Sequence, residues 1–579
     1  MSSLLADYSS ASQSDIHSVL QSIIDASPPS LDLSDRHQLL LLLLQDLKNC
    51  GKSRLSIKDA AHALLALKTL GKDPTASQYL SSTANLSTLL GFTATFKDDP
   101  DAVSEALRTI ANTLLLTAEA RSTFVGAGVA GGMLAAIMLE KASVPEQIYI
   151  LSRILFLCTA SPTPFVQTLV EEKHHGRTMA DIVDAKLDLL TIAILSGIKL
   201  AREAMSDLLK FTFNLLLHYP RLVEPENNDD KGDTWGSRLD GVLPPLLRTF
   251  YLLPPTFPSP IAPPLTHVIH ALLTIPVSPH LRTHWFSTSF SPNRNGQNTT
   301  PKSASPTADS RSDSPTRANQ SAVLSPKPST LDRALSMLAP HRRSGSRVGS
   351  PGSNMDVVQR AMDLLDVSFS HFFPGETDAD DPSIRERVKR ESPDNSLDDL
   401  LSPLAVLISR LCLADENTRA RIRQWIVPDD LDRTSALETR LDILGRCLRV
   451  LGSVYHPRLR DSVGEMLFAM ADSNANTLSA LVGYGNVAGY LFNKGILNVP
   501  PPTTNTINAS LTTPNGRPIN PITGTTEKPE SSTPDMTDEE KEREMEKLFV
   551  LFDRLEKSGS LPREQNPIRK AIQEGKLGV

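Results

Sequence analysis

Cysteine is scarce in this sequence, and so are aromatic residues. The 579 residues include four cysteines, and aromatic side chains make up 5% of the chain. No two cysteines form a C-x-x-C pair and each lies in or beside an apolar run, so neither a disulfide framework nor a zinc site is indicated. The four positions are Cys50, Cys158, Cys412 and Cys447. We expect buried thiols in a protein of a reducing compartment.

A secretion signal and a long apolar run are also missing. The first residues, MSSLLADYSSASQSDIHS, have no basic region followed by an apolar core. The most apolar stretch, HQLLLLLLQDLK at 37–48, is far shorter than the roughly twenty residues that cross a bilayer. The formal net charge is -7, which argues against nucleic acid or an anionic membrane as the main partner. We expect a cytoplasmic protein with no membrane span.

A glycine motif raises the question of a nucleotide site. The sequence GAGVAG at 126–131 fits G-x-G-x-x-G, but a dinucleotide site needs a strand before the motif and an acidic residue about twenty positions after it. A helical pattern precedes this motif, and Glu140 and Glu146 come too early. A similar stretch recurs, since VGAGVAGGML at 125–134 parallels VGYGNVAGYL at 482–491. We interpret both as tight turns in which glycine accepts positive φ and lets helices approach closely.

Other catalytic signatures are absent. The GKS at 51–53 would need a glycine at position 46 to form a P-loop, and Asp46 stands there. The adjacent His174 and His175 cannot form H-E-x-x-H, and no G-x-S-x-G occurs. The sequence therefore predicts a protein that is not an enzyme and holds no cofactor or metal; an enzyme using the glycine loops is the weakest alternative.

Amphipathic helical patterns fill residues 1–290, without alternating strand patterns. The clearest begins at Asp99, a helix N-cap residue followed by Pro100, and its apolar residues recur at i, i+3, i+4 and i+7. A second, AMSDLLKFTFNLLLHYP, is expected to end at Pro220. The sequence predicts an all-α protein.

These helices resemble one another. LRTIANTLLL at 107–116 matches LKFTFNLLLH at 209–218, and LSRILFLC at 151–158 is echoed by ISRLCL at 408–413. Recurring helices of this kind are typical of an α-solenoid, in which helix pairs stack into a superhelix with a concave groove.

Polar residues beside the apolar stripes are candidates to line that groove. Asparagine carboxamides bind peptide backbone, and the cations beside them would meet carboxylates; ordinary solvated helix faces are the alternative. The candidates are Arg108 with Asn112, Lys210 with Asn214, Arg153, Arg410, and the cluster Arg419, Arg421 and Arg423 beside Trp425.

Polar, proline-containing segments divide the chain. We expect the solenoid in 1–290 and 355–500, a disordered Ser/Pro-rich insert in 291–354 and a flexible linker in 501–536. Four serines of the insert precede a proline and are candidate phosphorylation sites: Ser305, Ser314, Ser325 and Ser350.

One last strong helix is predicted within 537–579. Thr537 and Glu540 have the spacing of a capping box, and Gly559 marks the end. Its apolar residues form one stripe suited to binding a partner. They are Leu548, Leu551, Phe552 and Leu555, with Phe549 beside them.

Several of these segments together resemble the synembryn family of guanine-nucleotide exchange factors and chaperones for heterotrimeric G-protein α subunits. The segments are EALRTIANTLLLTAEARSTFV, LSRILFLCTA, GYGNVAGYLFNKGIL, INPITG and MTDEEKEREMEKLFVLFDRL. The resemblance spans most of the chain outside 290–354 and is most specific from Pro518 onward. The proline-rich insert is more similar to that of fungal-type members.

The resemblance implies an armadillo/HEAT-like superhelix that is monomeric alone and recruited with its partner to the plasma membrane. In the family's mechanism the groove grips the C-terminal helix of the GDP-bound α subunit, GDP leaves, and the nucleotide-free subunit is held until GTP binds. The groove residues would be Asn112, Asn214, Arg153 and the arginines at 419–423, and the helix at 537–559 would touch the nucleotide-binding domain of the partner. A different class, a passive armadillo-type scaffold or transport adaptor for linear peptides, remains the alternative.

The sequence departs from the family in one respect. Animal members carry an acidic, phosphorylated tract before the INP-TG segment, and here TTNTINASLTTPNGRP at 503–518 has no acidic residue. Those phosphorylation sites do not transfer. Thr537 and Ser396 precede acidic residues and are candidate phosphorylation sites, with helix N-capping as the alternative for each.

Overall fold

The structure of the protein is a computed structural model that describes residues 3–26, 32–223, 235–286, 356–496 and 517–526. These ranges contain 24 α-helices and, within them, no β-strand. The helices before residue 287 are α1 (Ser3–Ser10), α2 (Ile16–Asp25), α3 (Leu33–Lys48), α4 (Ala60–Leu70), α5 (Pro74–Leu80), α6 (Thr83–Thr95), α7 (Pro100–Leu116), α8 (Ala118–Val125), α9 (Gly131–Lys141), α10 (Pro145–Cys158), α11 (Pro164–Glu171), α12 (Met179–Leu195), α13 (Ala201–Val223), α14 (Leu243–Leu252), α15 (Leu265–Thr274) and α16 (Arg282–Phe286). Those after it are α17 (Val357–Phe372), α18 (Pro382–Glu391), α19 (Leu397–Ala414), α20 (Glu416–Ile426), α21 (Ile443–Leu451), α22 (Pro457–Met470), α23 (Ala475–Val482) and α24 (Tyr484–Asn493).

One helix from each successive repeat packs against the next to form a continuous row. In chain order the row is α2, α4, α7, α10, α13, α15, α19 and α22, and each member contacts its successor. We call it the inner row. Other helices, such as α12 and α14, pack against its side. A stack in which each repeat touches its neighbours is an α-solenoid, so the predicted fold class is confirmed.

Local signals at α7 act as the sequence predicts. The Asp99 carboxylate accepts hydrogen bonds from the backbone N–H groups of Asp101 and Ala102, both at 3.1 Å, and Pro100 occupies the first turn. The expected end of α13 at Pro220 is wrong, because that helix continues to Val223. The proline falls in the last turn, where the lost N–H bond interrupts little remaining helix.

The glycine motif at 126–131 joins two helices, as predicted. Helix α8 precedes it and α9 follows, so the strand of a dinucleotide site is absent there. The positive φ, however, lies at Ala130 (52°) and not at a glycine. Gly131 provides close approach instead, since a Cβ there would lie 2.4 Å from the Phe124 ring. In the second copy Gly483 does have positive φ, 86°.

The four cysteines are free, and all but the half-buried Cys50 are buried. Burial raises the pKa of Cys158 and of Cys412 to about 12, so both thiols stay protonated and unreactive at neutral pH. In the described ranges no helix combines the length and apolarity that a bilayer span requires.

Candidate partner-binding surface

Ion pairs link α4, α7 and α10 of the inner row. The Glu105 carboxylate on α7 meets Lys68 of α4 at 2.5 Å and Arg108 of its own helix at 2.6 Å. Arg108 also reaches Glu146 of α10 at 2.5 Å. The predicted groove residue Arg108 therefore sits in a chain of four charges across three helices, with about a third of its side chain exposed.

A second group of charges joins α10 to α13. The guanidinium of Arg153 bonds the Asp207 carboxylate at 2.8 Å, and the Lys210 ammonium lies 3.3 Å from the other oxygen of that carboxylate. Both cations also lie over aromatic rings, Arg153 at 4.7 Å from the Tyr149 centroid and Lys210 at 5.8 Å from that of Phe156. Both remain about one third exposed. We call these two charge groups, together with Asn112, the inner seam.

The two asparagines that match in sequence differ in structure. The carboxamide of Asn112 on α7 is half-buried and has no hydrogen-bond partner among the described residues. The carboxamide of Asn214 on α13 is buried and donates to the Phe156 carbonyl at 3.1 Å and to the Thr159 hydroxyl at 3.2 Å. Among the described residues, no group thus occupies the Asn112 carboxamide, whereas the donor group of Asn214 serves to hold α13 against α10.

A half-open pocket of about 190 Å³ lies beside Lys210, between α10, α13 and α15. Its lining residues are Phe156, Leu209, Lys210, Phe213, Asn214, His267 and His270. Burial lowers the pKa of His267 to about 4, with Lys210 and His270 adding to the effect, so this imidazole is neutral at physiological pH. The pocket combines an apolar floor with one cation. Sequence reasoning missed it, although the i,i+3 histidines on the apolar α15 were a visible signal.

Arg410 on α19 performs a structural task. Its guanidinium donates to the carbonyls of Leu273 and, at 2.8 Å, Ile275, at the C-terminal end of α15. Carbonyls at a helix end need such donors. Contact between Arg410 and a partner stays a prediction, and this use of the guanidinium disfavours it.

The arginine cluster lies on α20, which packs against α19 and α22. Arg419 pairs with Asp472 at 2.8 Å and Arg421 with Asp356 at 2.7 Å, while Arg423 is exposed. Helices α19 and α22 follow α15 in the inner row, so the cluster lies nearer the opposite end of that row from Arg108.

Ser396 is the N-cap of α19. Its hydroxyl accepts from the Asp399 backbone N–H at 3.2 Å and the Asp399 carboxylate accepts from the Ser396 N–H at 3.0 Å, a complete capping box. Capping is therefore its role in this fold. The remaining predicted sites lie outside the described residues: Ser305, Ser314, Ser325, Ser350, Thr537, Leu548, Phe549 and Phe552. Among the described side chains, no cluster of three His, Cys, Asp or Glu has the geometry of a metal site.

Comparison with known proteins extends the resemblance over most of the chain. Residues 63–576 match the family model described as guanine nucleotide exchange factor synembryn. A synembryn-like chaperone of Schizosaccharomyces pombe is 27% identical over 30% of this chain and 35% of its own length. Chaperone Ric-8A of Xenopus tropicalis is 26% identical over 38% of this chain and 37% of its own. The matched part thus spans about a third of these curated relatives.

Proposed function

The chain belongs to the synembryn family, and on that premise we propose that it is an exchange factor and folding chaperone for heterotrimeric G-protein α subunits. The match of residues 63–576 to the exchange-factor family carries the proposal. The inner seam and the pocket beside Lys210 support it, because together they provide cations, a carboxamide with no partner among the described residues, and an apolar cavity on the solenoid.

The proposed ligand is the C-terminal helix of the GDP-bound α subunit. Arg108, Arg153 and Lys210 would face carboxylates of that helix, since about a third of each side chain is exposed. The Asn112 carboxamide would donate to and accept from backbone groups left unpaired at a helix end. An apolar side chain of the ligand fits the pocket beside Lys210.

The proposed mechanism is non-covalent. The groove would bind the terminal helix only when that helix is detached from the body of the α subunit. Binding therefore favours the state of the α subunit that has low affinity for GDP. By linkage, the factor by which this protein weakens GDP binding equals the factor by which GDP weakens binding of this protein. Binding of GTP would then release the α subunit from this protein. The same contact with the terminal helix would stabilise a newly made α subunit while it folds.

Fluorescent GDP preloaded on a purified G-protein α subunit tests the proposal. Mixing with the full chain should speed nucleotide release, and Asn112→Ala should remove most of that effect. Binding without faster release would favour the passive scaffold instead. Absence of both binding and faster release would defeat the proposal. For the chaperone activity, the yield of folded α subunit from cell-free translation should rise when the chain is added.

A further inference from the structure

Residues 517–526, within the segment expected to be a flexible linker, form a turn that is docked on the last helices of the solenoid. Inside the turn, the Gly524 N–H donates to the Asn520 carbonyl at 2.8 Å, and the Asn520 N–H donates to the Thr525 carbonyl at 2.8 Å. The Asn520 side chain accepts from the Ile522 N–H at 2.9 Å. These hydrogen bonds give residues 517–526 a defined turn conformation, which a flexible linker would not have.

The turn supplies what the start of α24 lacks. Gly483, which precedes α24, has no side chain to cap the first N–H groups of the helix. The carbonyls of Pro521 and Ile522 accept from the N–H groups of Tyr484 and Gly485, both at 2.8 Å. Two backbone carbonyls of a distant segment thus take the place of a side-chain cap.

A buried arginine fastens the other side of the turn. The Arg433 guanidinium donates to the Gly524 carbonyl at 2.7 Å and to the Leu481 carbonyl at 2.8 Å. The Arg433 carbonyl accepts in turn from the Thr526 N–H at 2.8 Å. Arg433 is 8% exposed, so these bonds are shielded from water.

The fit between the turn and α23 depends on glycine. Gly524 has φ of 71°, and a Cβ there would lie 2.7 Å from the Val482 carbonyl oxygen. Gly483 faces it, with φ of 86° and 2.5 Å between its would-be Cβ and the Gly524 nitrogen. The two backbones meet at a distance that no side chain allows.

We infer that this turn is an anchor: it fixes, at the end of the solenoid, the point from which residues 527–579 leave. The inference rests on the proposed function, because it assumes that these C-terminal residues contact the α subunit. With the turn docked, 10 residues (527–536) separate it from the predicted C-terminal helix; with the turn released, 40 residues (497–536) separate that helix from Ile496. For a flexible tether, effective concentration falls roughly as the −3/2 power of length, so a fourfold longer separation corresponds to a concentration about eightfold lower.

Two alanine variants of the full chain test the anchor. Gly524→Ala introduces strain and a backbone clash, whereas Gly495→Ala is a matched control with φ of 76° and no atom within 4 Å of its would-be Cβ. By hydrogen exchange, the Tyr484 and Gly485 amides should lose protection at least about tenfold in Gly524→Ala and keep it in Gly495→Ala. Retained protection in Gly524→Ala would overturn the docking itself.

A third variant separates anchoring from simple stabilisation. Inserting 30 Gly/Ser residues after Thr526 lengthens the tether as release does but leaves the turn intact. The stimulation of GDP release should fall about eightfold in both Gly524→Ala and the insertion variant, and Gly495→Ala should match the unaltered chain. A loss in Gly524→Ala without a loss in the insertion variant would refute the anchor role. If the unaltered chain speeds GDP release from no α subunit, the proposed function is refuted instead. The hydrogen-exchange measurement still decides whether the turn docks.

Discussion

The carboxylate of Asp207 accepts a hydrogen bond from the guanidinium of Arg153 at 2.8 Å, although the two residues are 54 positions apart. The Asp207 side chain is 3% exposed, while Arg153 is 39% exposed. Water can therefore hydrate the cation but not the carboxylate. The pair ties α10 to α13 in the middle of the proposed binding surface, so in the proposed function the same charges would serve both packing and recognition.

This difference in exposure predicts that removing the two cations lowers the free energy of unfolding more than removing the carboxylate. Replacing both cations, Arg153→Met with Lys210→Met, leaves a buried carboxylate without a counter-charge and should lower the free energy of unfolding by about 3 kcal/mol. Asp207→Asn leaves two cations that water can reach and should cost about 1 kcal/mol. Urea denaturation followed by circular dichroism measures both. The reverse order would contradict the assignment of Asp207 as the shielded member.

The two matched asparagines should separate function from stability. Asn112→Ala removes a carboxamide that has no hydrogen-bond partner among the described residues, so the free energy of unfolding should stay within about 0.5 kcal/mol while stimulation of GDP release falls. Asn214→Ala breaks two hydrogen bonds of a buried carboxamide and should lower the free energy of unfolding by about 2 kcal/mol. Denaturation and nucleotide-release assays on both variants check this. A strongly destabilised Asn112→Ala would show that its carboxamide has an internal role.

Features that depend on neighbouring residues could be predicted from the sequence. The N-cap at Asp99, the helix α7 and the turn at 126–131 all follow from residue types within a few positions of each other. The all-α class and the solenoid followed from repetition of such patterns. These are the interactions for which spacing along the chain fixes spacing in the structure.

Features that depend on stacking between repeats could not be predicted in the same way. Asn112 and Asn214 occupy matching helix positions, and the placement of Phe156 and Thr159 against α13 makes Asn214 internal. Arg410 finds its acceptors at Leu273 and Ile275, more than a hundred positions away. The docked turn at 517–526 has the composition of a linker. Its contacts to the helices are made by backbone carbonyls, which every residue type carries, so residue types alone do not predict them.

Glycines at two helix positions should respond in opposite directions to alanine. At Gly131 the added Cβ would lie 2.4 Å from the Phe124 ring, and we expect a loss of about 2 kcal/mol in the free energy of unfolding. At Gly91, in the exposed middle of α6, no atom lies within 4 Å, and helix propensity predicts a gain of about 0.5–1 kcal/mol. Urea denaturation of the two variants provides the measurement. Equal effects would refute close packing as the role of the glycine motif.

Acid should selectively weaken the loop before α22. Burial alone would raise the pKa of Asp380, but hydrogen bonds from the Ser453 hydroxyl and from the Val454 and Tyr455 N–H groups outweigh it and hold that pKa below its ordinary value. A carboxyl with a lowered pKa stabilises the fold above its unfolded pKa of about 4 and loses that contribution as pH falls further. Asp380→Asn should therefore be less stable than the unaltered chain at pH 7, with the difference shrinking below about pH 4. Denaturation midpoints at pH 7, 5 and 3.5 measure it, and a difference independent of pH would contradict the charge-based explanation.

The segment between α16 and α17 should be removable. Arg282 before it bonds Asp415 at 2.6 Å, and Asp356 after it bonds Arg421 at 2.7 Å. Asp415, the N-cap of α20, and Arg421, in the middle of that helix, lie six positions apart, about 9 Å along the helix. The chain on both sides of the segment is thus held at α20. A flexible linker of about twelve Gly/Ser residues is therefore long enough to replace 287–355. The free energy of unfolding should stay the same or rise by up to about 1.5 kcal/mol, because a shorter loop costs less closure entropy. A loss above about 1 kcal/mol on urea denaturation would mean that residues of this segment pack on the solenoid.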